Sequence, residues 1–90
     1  MTNEHLSALW AVAKRAEEYE DRWLDLLVTV ELCHRCKAVR LEAFHDGRSA
    51  GLLVSWEEFL ASNVPELMLF DQLDQVIQVL FGPAPGEAVN

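Results

Sequence analysis

The stretch Ala38-Val39-Arg40-Leu41-Glu42-Ala43-Phe44-His45-Asp46-Gly47-Arg48-Ser49-Ala50-Gly51-Leu52-Leu53-Val54 decides how this chain is read. Val39, Leu41 and Ala43 alternate with Arg40 and Glu42, the period of a strand with one buried and one wet face. Asp46-Gly47 follows, and glycine tolerates the positive φ that a two-residue type I′ turn demands. The pattern predicts a β-hairpin that pairs 38–44 with 50–54. Leu32, Cys36, Val39 and Ala43 also stand at helical spacing. The turn arbitrates between the two readings, because periodicity alone does not.

Upstream, Val28, Val30 and Leu32 alternate with Thr29 and Glu31. Residues 26–32 therefore either add a third strand or extend the helix before them. Residues 4–20 read as that helix, with Leu6, Leu9, Trp10, Ala13 and Ala16 as its apolar stripe and Thr2 or Asn3 as its cap. Glu17, Glu18, Glu20 and Asp21 crowd its C-terminal end, the wrong sign for the helix dipole at ~0.3–1 kcal/mol per exposed charge. Acid placed against local preference suggests a purpose outside the helix. Lys14, Arg15 and Arg22 lie among these acids and read as intrahelical ion pairs.

Downstream, Ser55-Trp56-Glu57-Glu58 is a capping box opening a short helix to about Ala61. Asn63-Val64-Pro65-Glu66 repeats the signature, with Pro65 in the first turn. The last helix runs to Phe81, where Gly82 is expected as a left-handed cap with Pro83 beyond. It is apolar over about two thirds of its circumference, wider than the usual surface stripe. Either its own domain embraces it or another chain covers part of it. The expected fold is α+β: an N-terminal helix, a small antiparallel hairpin or three-stranded meander, and two C-terminal helices. The alternative is a mostly α protein. Residues 1–82 are expected to form a single domain, and 83–90 a flexible Pro/Gly tail.

Charge bounds the function. Of the 90 residues, the first 48 hold nine carboxylates and all seven Lys and Arg. The last 42 hold six carboxylates and no Lys, Arg or His, and so supply −6 of the net −8. Such a chain repels nucleic acid and anionic membrane and attracts basic protein surfaces. No basic stripe with interleaved aromatics and no glycine-rich phosphate loop is present. Arg35, Lys37, Arg40 and Arg48 make a small basic group near the hairpin. The start, Met1-Thr2-Asn3-Glu4-His5, has neither a basic nor an apolar leader segment, and no window is apolar enough to span a bilayer. A cytoplasmic protein without a signal peptide is expected. Apolar residues make up 51%, with three Trp and four Phe, more than so short a chain readily hides. The surplus suits a homodimer or a partner.

Cys33-His34-Arg35-Cys36 is a C-x-x-C that would sit in a turn if both flanking segments are strands. Thiolates so placed can hold zinc, with His34 or His45 as further ligands, but no second C-x-x-C completes the set. A site shared across a dimer would supply the remainder. Plain thiols are the simpler reading, and the α/β context of a thioredoxin-type motif is missing. No Ser or Cys pairs with a histidine in a recognisable motif, and the carboxylates lack calcium-loop spacing. No enzyme is expected and no cofactor beyond that zinc.

These readings converge on a small acidic protein-binding regulator or inhibitor. Its partner would be a larger basic protein, whose nucleic-acid-binding surface it blocks in the manner of a DNA mimic of the anti-CRISPR, phage anti-defence type. The class argument rests on charge, size and the lack of catalytic motifs. The residues expected to make the contact are Glu17, Glu18, Glu20, Asp21, Asp71 and Asp74, with Leu67, Phe70 and Phe81 as apolar anchors. The alternative is a zinc-stabilised adaptor or homodimeric structural protein built on the Cys33/Cys36 knuckle.

Overall fold

The computed structural model describes residues 2–82. The element order is α1 (Asn3–Arg22), β1 (Leu27–Cys33), β2 (Ala38–His45), β3 (Arg48–Ser55), α2 (Trp56–Ala61) and α3 (Pro65–Phe81). The strands form one antiparallel sheet in the order β1-β2-β3. The fold is α+β, with the meander rather than the hairpin alone. The proposed tail, 83–90, lies outside the described residues.

The Asp46-Gly47 turn is as expected. Both residues have positive φ, 51° and 75°, as a type I′ turn requires, and His45 pairs with Arg48 across it. Residues 26–32 are resolved by Asp25, whose φ of 61° turns the chain out of α1 and into β1. Aspartate visits that left-handed region more readily than most side chains. The helical extension is thereby excluded.

Strand alternation sets the core. Val28, Val39, Leu41, Ala43 and Val54 point from the sheet into a single cluster with Leu69, Leu73, Val76, Ile77 and Leu80 of α3. α1 contributes Ala8, Val12 and Ala16, and α2 contributes Phe59. α1 and α3 lie side by side on this face of the sheet, with α1 against β1 and α3 against β2 and β3. The opposite face is wet: Arg40 sits there, 3.5 Å from Glu31 across the strand pair and 3.9 Å from Glu42.

The α1 stripe is rotated from the sequence expectation. His5, Ala8, Val12 and Ala16 are buried, whereas Trp10 is 73% exposed and Leu6 is 54% exposed. Small residues at 8 and 16 let the helix approach closely, and a tryptophan there would hold it off. His5 is held by Thr2, whose hydroxyl lies 2.7 Å from Nδ1, and its ring meets Phe59 edge-on. The Thr2 hydroxyl also accepts the His5 backbone N–H, which makes it the cap.

The remaining caps differ in part. Ser55 accepts the Glu58 N–H at 3.1 Å, and its hydroxyl donates to the Glu58 carboxylate at 3.2 Å. The capping box is therefore real, although Glu58 meets the hydroxyl rather than the backbone. The second box does not form: α3 is preceded by Val64, which makes no side-chain cap bond, and Pro65 opens the helix. Gly82 has φ −72° and ψ 168°, so it ends α3 in extended rather than left-handed backbone. Glycine still fits its place, because a Cβ would stand 2.8 Å from the Gln78 carbonyl oxygen.

One edge of the sheet receives a side chain. The Glu20 carboxylate, at the end of α1, accepts the Val28 backbone N–H at 2.8 Å. Val28 stands opposite Ala43, whose backbone groups are directed to Ala50 of β3, so the Val28 N–H faces away from the sheet, and Glu20 satisfies it.

Candidate functional site

The residues expected to bind a partner divide into two groups. Glu17, Glu18, Asp21, Asp71 and Leu67 are exposed. The remaining four are engaged within the molecule. Asp74 takes two hydrogen bonds from Arg15, at 3.0 and 2.9 Å, and one from the Tyr19 hydroxyl at 2.7 Å. It fastens α3 to α1 and is not an open acid. Glu20 caps Val28. Phe70 lies half-buried beneath the Arg15 guanidinium, 4.7 Å from its ring centre. Phe81 stacks on Trp23 at 4.4 Å and meets the His45 ring at 4.9 Å.

Arg15 therefore pairs across helices and not within α1. Among the described residues the ion pairs are Arg15–Asp74, Arg40–Glu31 and Arg40–Glu42. The Arg15 hydrogen bonds, with a smaller contribution from Tyr19, hold the Asp74 carboxyl below the usual carboxylate range despite partial burial. Burial and then the bond to Asp74 push the Tyr19 phenol up. These shifts belong to a structural clasp.

The open acids lie on the helical layer. Glu17 and Asp21 share the outward side of α1 with Trp10, and Lys14 stands among them. A groove runs between the N-terminal turns of α1 and α3, lined by Glu4, Ser7, Val64, Pro65, Glu66 and Leu67. Leu67 is 64% exposed at its rim. An apolar surface bordered by carboxylates is suited to a basic partner that also buries a hydrophobic anchor. Trp10, Leu6 and Val64 extend that surface and were not legible from the sequence. From Leu6 to Ala13 every residue of α1 except Ser7 is apolar, so this half of the helix gives no sign of which side the sheet takes.

The C-x-x-C lies in the β1–β2 turn, and Cys33 and Cys36 are joined as a disulfide. The Cys36 N–H donates to the Cys33 Sγ at 3.1 Å, and Lys37, with φ 52°, returns the chain into β2. His34 follows Cys33 and packs near Trp56. His45 does not come to this turn: it ends β2 at roughly 23 Å from Ala38, seven residues on. Among the described residues no group of three or more His, Cys, Asp or Glu is gathered for a metal ion. The basic group also divides, with Arg35 and Lys37 in this turn and Arg48 at the opposite end of the sheet. No helix among the described residues is long and apolar enough to cross a membrane. Comparison of the chain with protein-family models, with curated proteins and with solved structures gives no match.

Proposed function

We propose that the protein is a small acidic protein-binding regulator whose helical layer docks on a basic surface of a larger protein. The observation that carries this reading is the set Glu17, Glu18, Asp21 and Asp71, exposed and without an ion-pair partner among the described residues, beside exposed Trp10 and Leu67. Carboxylates of this kind speed encounter and select a partner by sign, while the buried apolar anchor supplies the residence time. A nucleic-acid-binding channel is a basic surface of this type, and occupying it would inhibit the larger protein.

The test is capture of partners by the tagged chain at low and high salt, beside a charge-reversed variant Glu17→Lys/Asp21→Lys/Asp71→Lys. Asp74 is left intact, since reversing it would break the clasp to Arg15. A nucleic-acid-binding protein retained at low salt and lost both at high salt and with the variant is the expected result. Retention that ignores salt and charge reversal alike would sink the proposal.

A zinc-stabilised adaptor is the second reading. It rests on one observation, the two cysteine sulfurs brought together in the turn between β1 and β2. The pair would have to be reduced, and the further ligands would come from outside this turn. Metal content after preparation under reducing conditions, with melting curves before and after chelation, separates the two readings.

A further inference from the structure

The three strands leave two edges, and β3 presents the unguarded one. His45 and Arg48 flank a two-residue turn, so Arg48, Ala50, Leu52 and Val54 direct their backbone groups to β2. Ser49, Gly51 and Leu53 direct theirs away from the sheet. No charge and no proline interrupts the chain from Ser49 to Trp56. Natural edges are usually guarded by charge, proline, a bulge or a covering element. Alongside this edge, Ala50, Gly51 and Leu52 form a groove with Gln75, Val76 and Val79 of α3. Val79 is 68% exposed. This half of α3 is also uncharged, since no ionisable side chain follows Asp74 in the helix.

We propose that the β3 edge is a self-association site, on which a second copy of this chain pairs its own β3 antiparallel in a register centred on Leu52. Two arguments commit the edge to a second copy. The first is size. In this register Gly51 faces the partner's Leu53 on the wet face, and Ala50 faces the partner's Val54 on the core face. Leu52 meets its own symmetry mate. Each large side chain meets a small one, or meets itself at the axis. The second is charge. Two chains of net −8 repel, and they do so least where the facing surfaces bring no like charges together. The same register brings Arg48, at the start of one β3, to the first turn of α2 in the partner, where Glu57 stands. Among the described residues Arg48 has no carboxylate partner within its own chain, and its guanidinium reaches only the Gly82 carbonyl, at 3.4 Å. The two-fold axis makes that pair twice. The result is one continuous sheet of doubled width, with α3 helices from both copies flanking the seam. This inference is independent of the acidic helical face, which stays open in the assembly.

Sedimentation equilibrium on the full chain is the test. The expected species has about twice the 10.2 kDa chain mass. Leu53→Lys is expected to weaken association about tenfold or more, by placing charge at the seam and removing the Leu–Gly fit. Its circular dichroism should not change, because Leu53 projects into solvent on the outer face and is 55% exposed. Leu27→Lys removes a similar exposed leucine from β1 and should leave the dimer intact. Arg48→Glu should weaken association, and adding Glu57→Lys to the same chain should restore it, a comparison that does not depend on position 53. A monomeric wild-type chain overturns the proposal and leaves the edge to a foreign strand. So does a dimer indifferent to Leu53→Lys and to the charge exchange, or one lost equally with Leu27→Lys.

Discussion

Replacing Asp74 by alanine removes three charge-assisted hydrogen bonds at once, two from Arg15 and one from Tyr19. The pair is about one third exposed, so screening discounts it, and a loss of about 1–2 kcal/mol is expected in urea unfolding at neutral pH. The sign of the pH dependence follows from the lowered Asp74 carboxyl. Its contribution is fully present above the unfolded carboxylate value of about 4 and is lost as pH falls through the folded value. The difference between wild type and Asp74→Ala should therefore shrink on acidification below about pH 4. A difference that stays constant would show that the clasp is not ionic. Trp10 and Phe59 give a second contrast. Phe59 is wholly buried, and Phe59→Ala should cost about 3–5 kcal/mol. Trp10→Ser should change stability by less than about 0.5 kcal/mol, because the ring is already in solvent. None of this was readable in sequence: the Arg15–Asp74 partners stand 59 residues apart, and Asp74 looked like one more acid on a polar stripe.

At the scale of elements, local chemistry was legible and packing was not. Asp46-Gly47 announced its hairpin because the turn demands a backbone conformation that few residue types adopt. Ser55 and Glu58 announced α2 for a similar reason. The α1–β1 boundary stayed open because Val28, Val30 and Leu32 suit a strand or a helix, and the deciding residue, Asp25, carries no such signature. Gly47→Ala should lower stability by about 1 kcal/mol or more in thermal melts. A Cβ there meets nothing within 4 Å, so the loss would be conformational. Reducing the Cys33–Cys36 disulfide should cost at most about 2 kcal/mol, since the loop is short and the paired Cys33 and Ala38 already close it. A larger loss on adding reductant would mean that the turn needs its crosslink to hold register.

For the molecule as a whole, charge and shape separate. Apart from Glu20 and Asp74, the carboxylates of the helical layer are open, while the β3 edge and the adjoining half of α3 carry none. Among the described residues three part-exposed ion pairs, two of them sharing Arg40, stand against the self-repulsion of a net −8. Moderate sodium chloride should therefore raise the melting temperature, by screening self-repulsion more than it weakens those pairs. A melting temperature that falls with salt would mean that the pairs dominate. The carboxylate of Glu20 on the Val28 N–H gives the two edges of the sheet different fates. In the vocabulary of polymer chemistry, a strand-bearing unit with two reactive ends propagates into a fibre, and a unit with one reactive end can only couple once. Glu20 works as a partial end-cap: it occupies the Val28 N–H on the β1 edge, and with the proposed β3 joining it would favour termination at a closed pair. A single glutamate at the end of a helix would then help to decide between a closed pair and a filament.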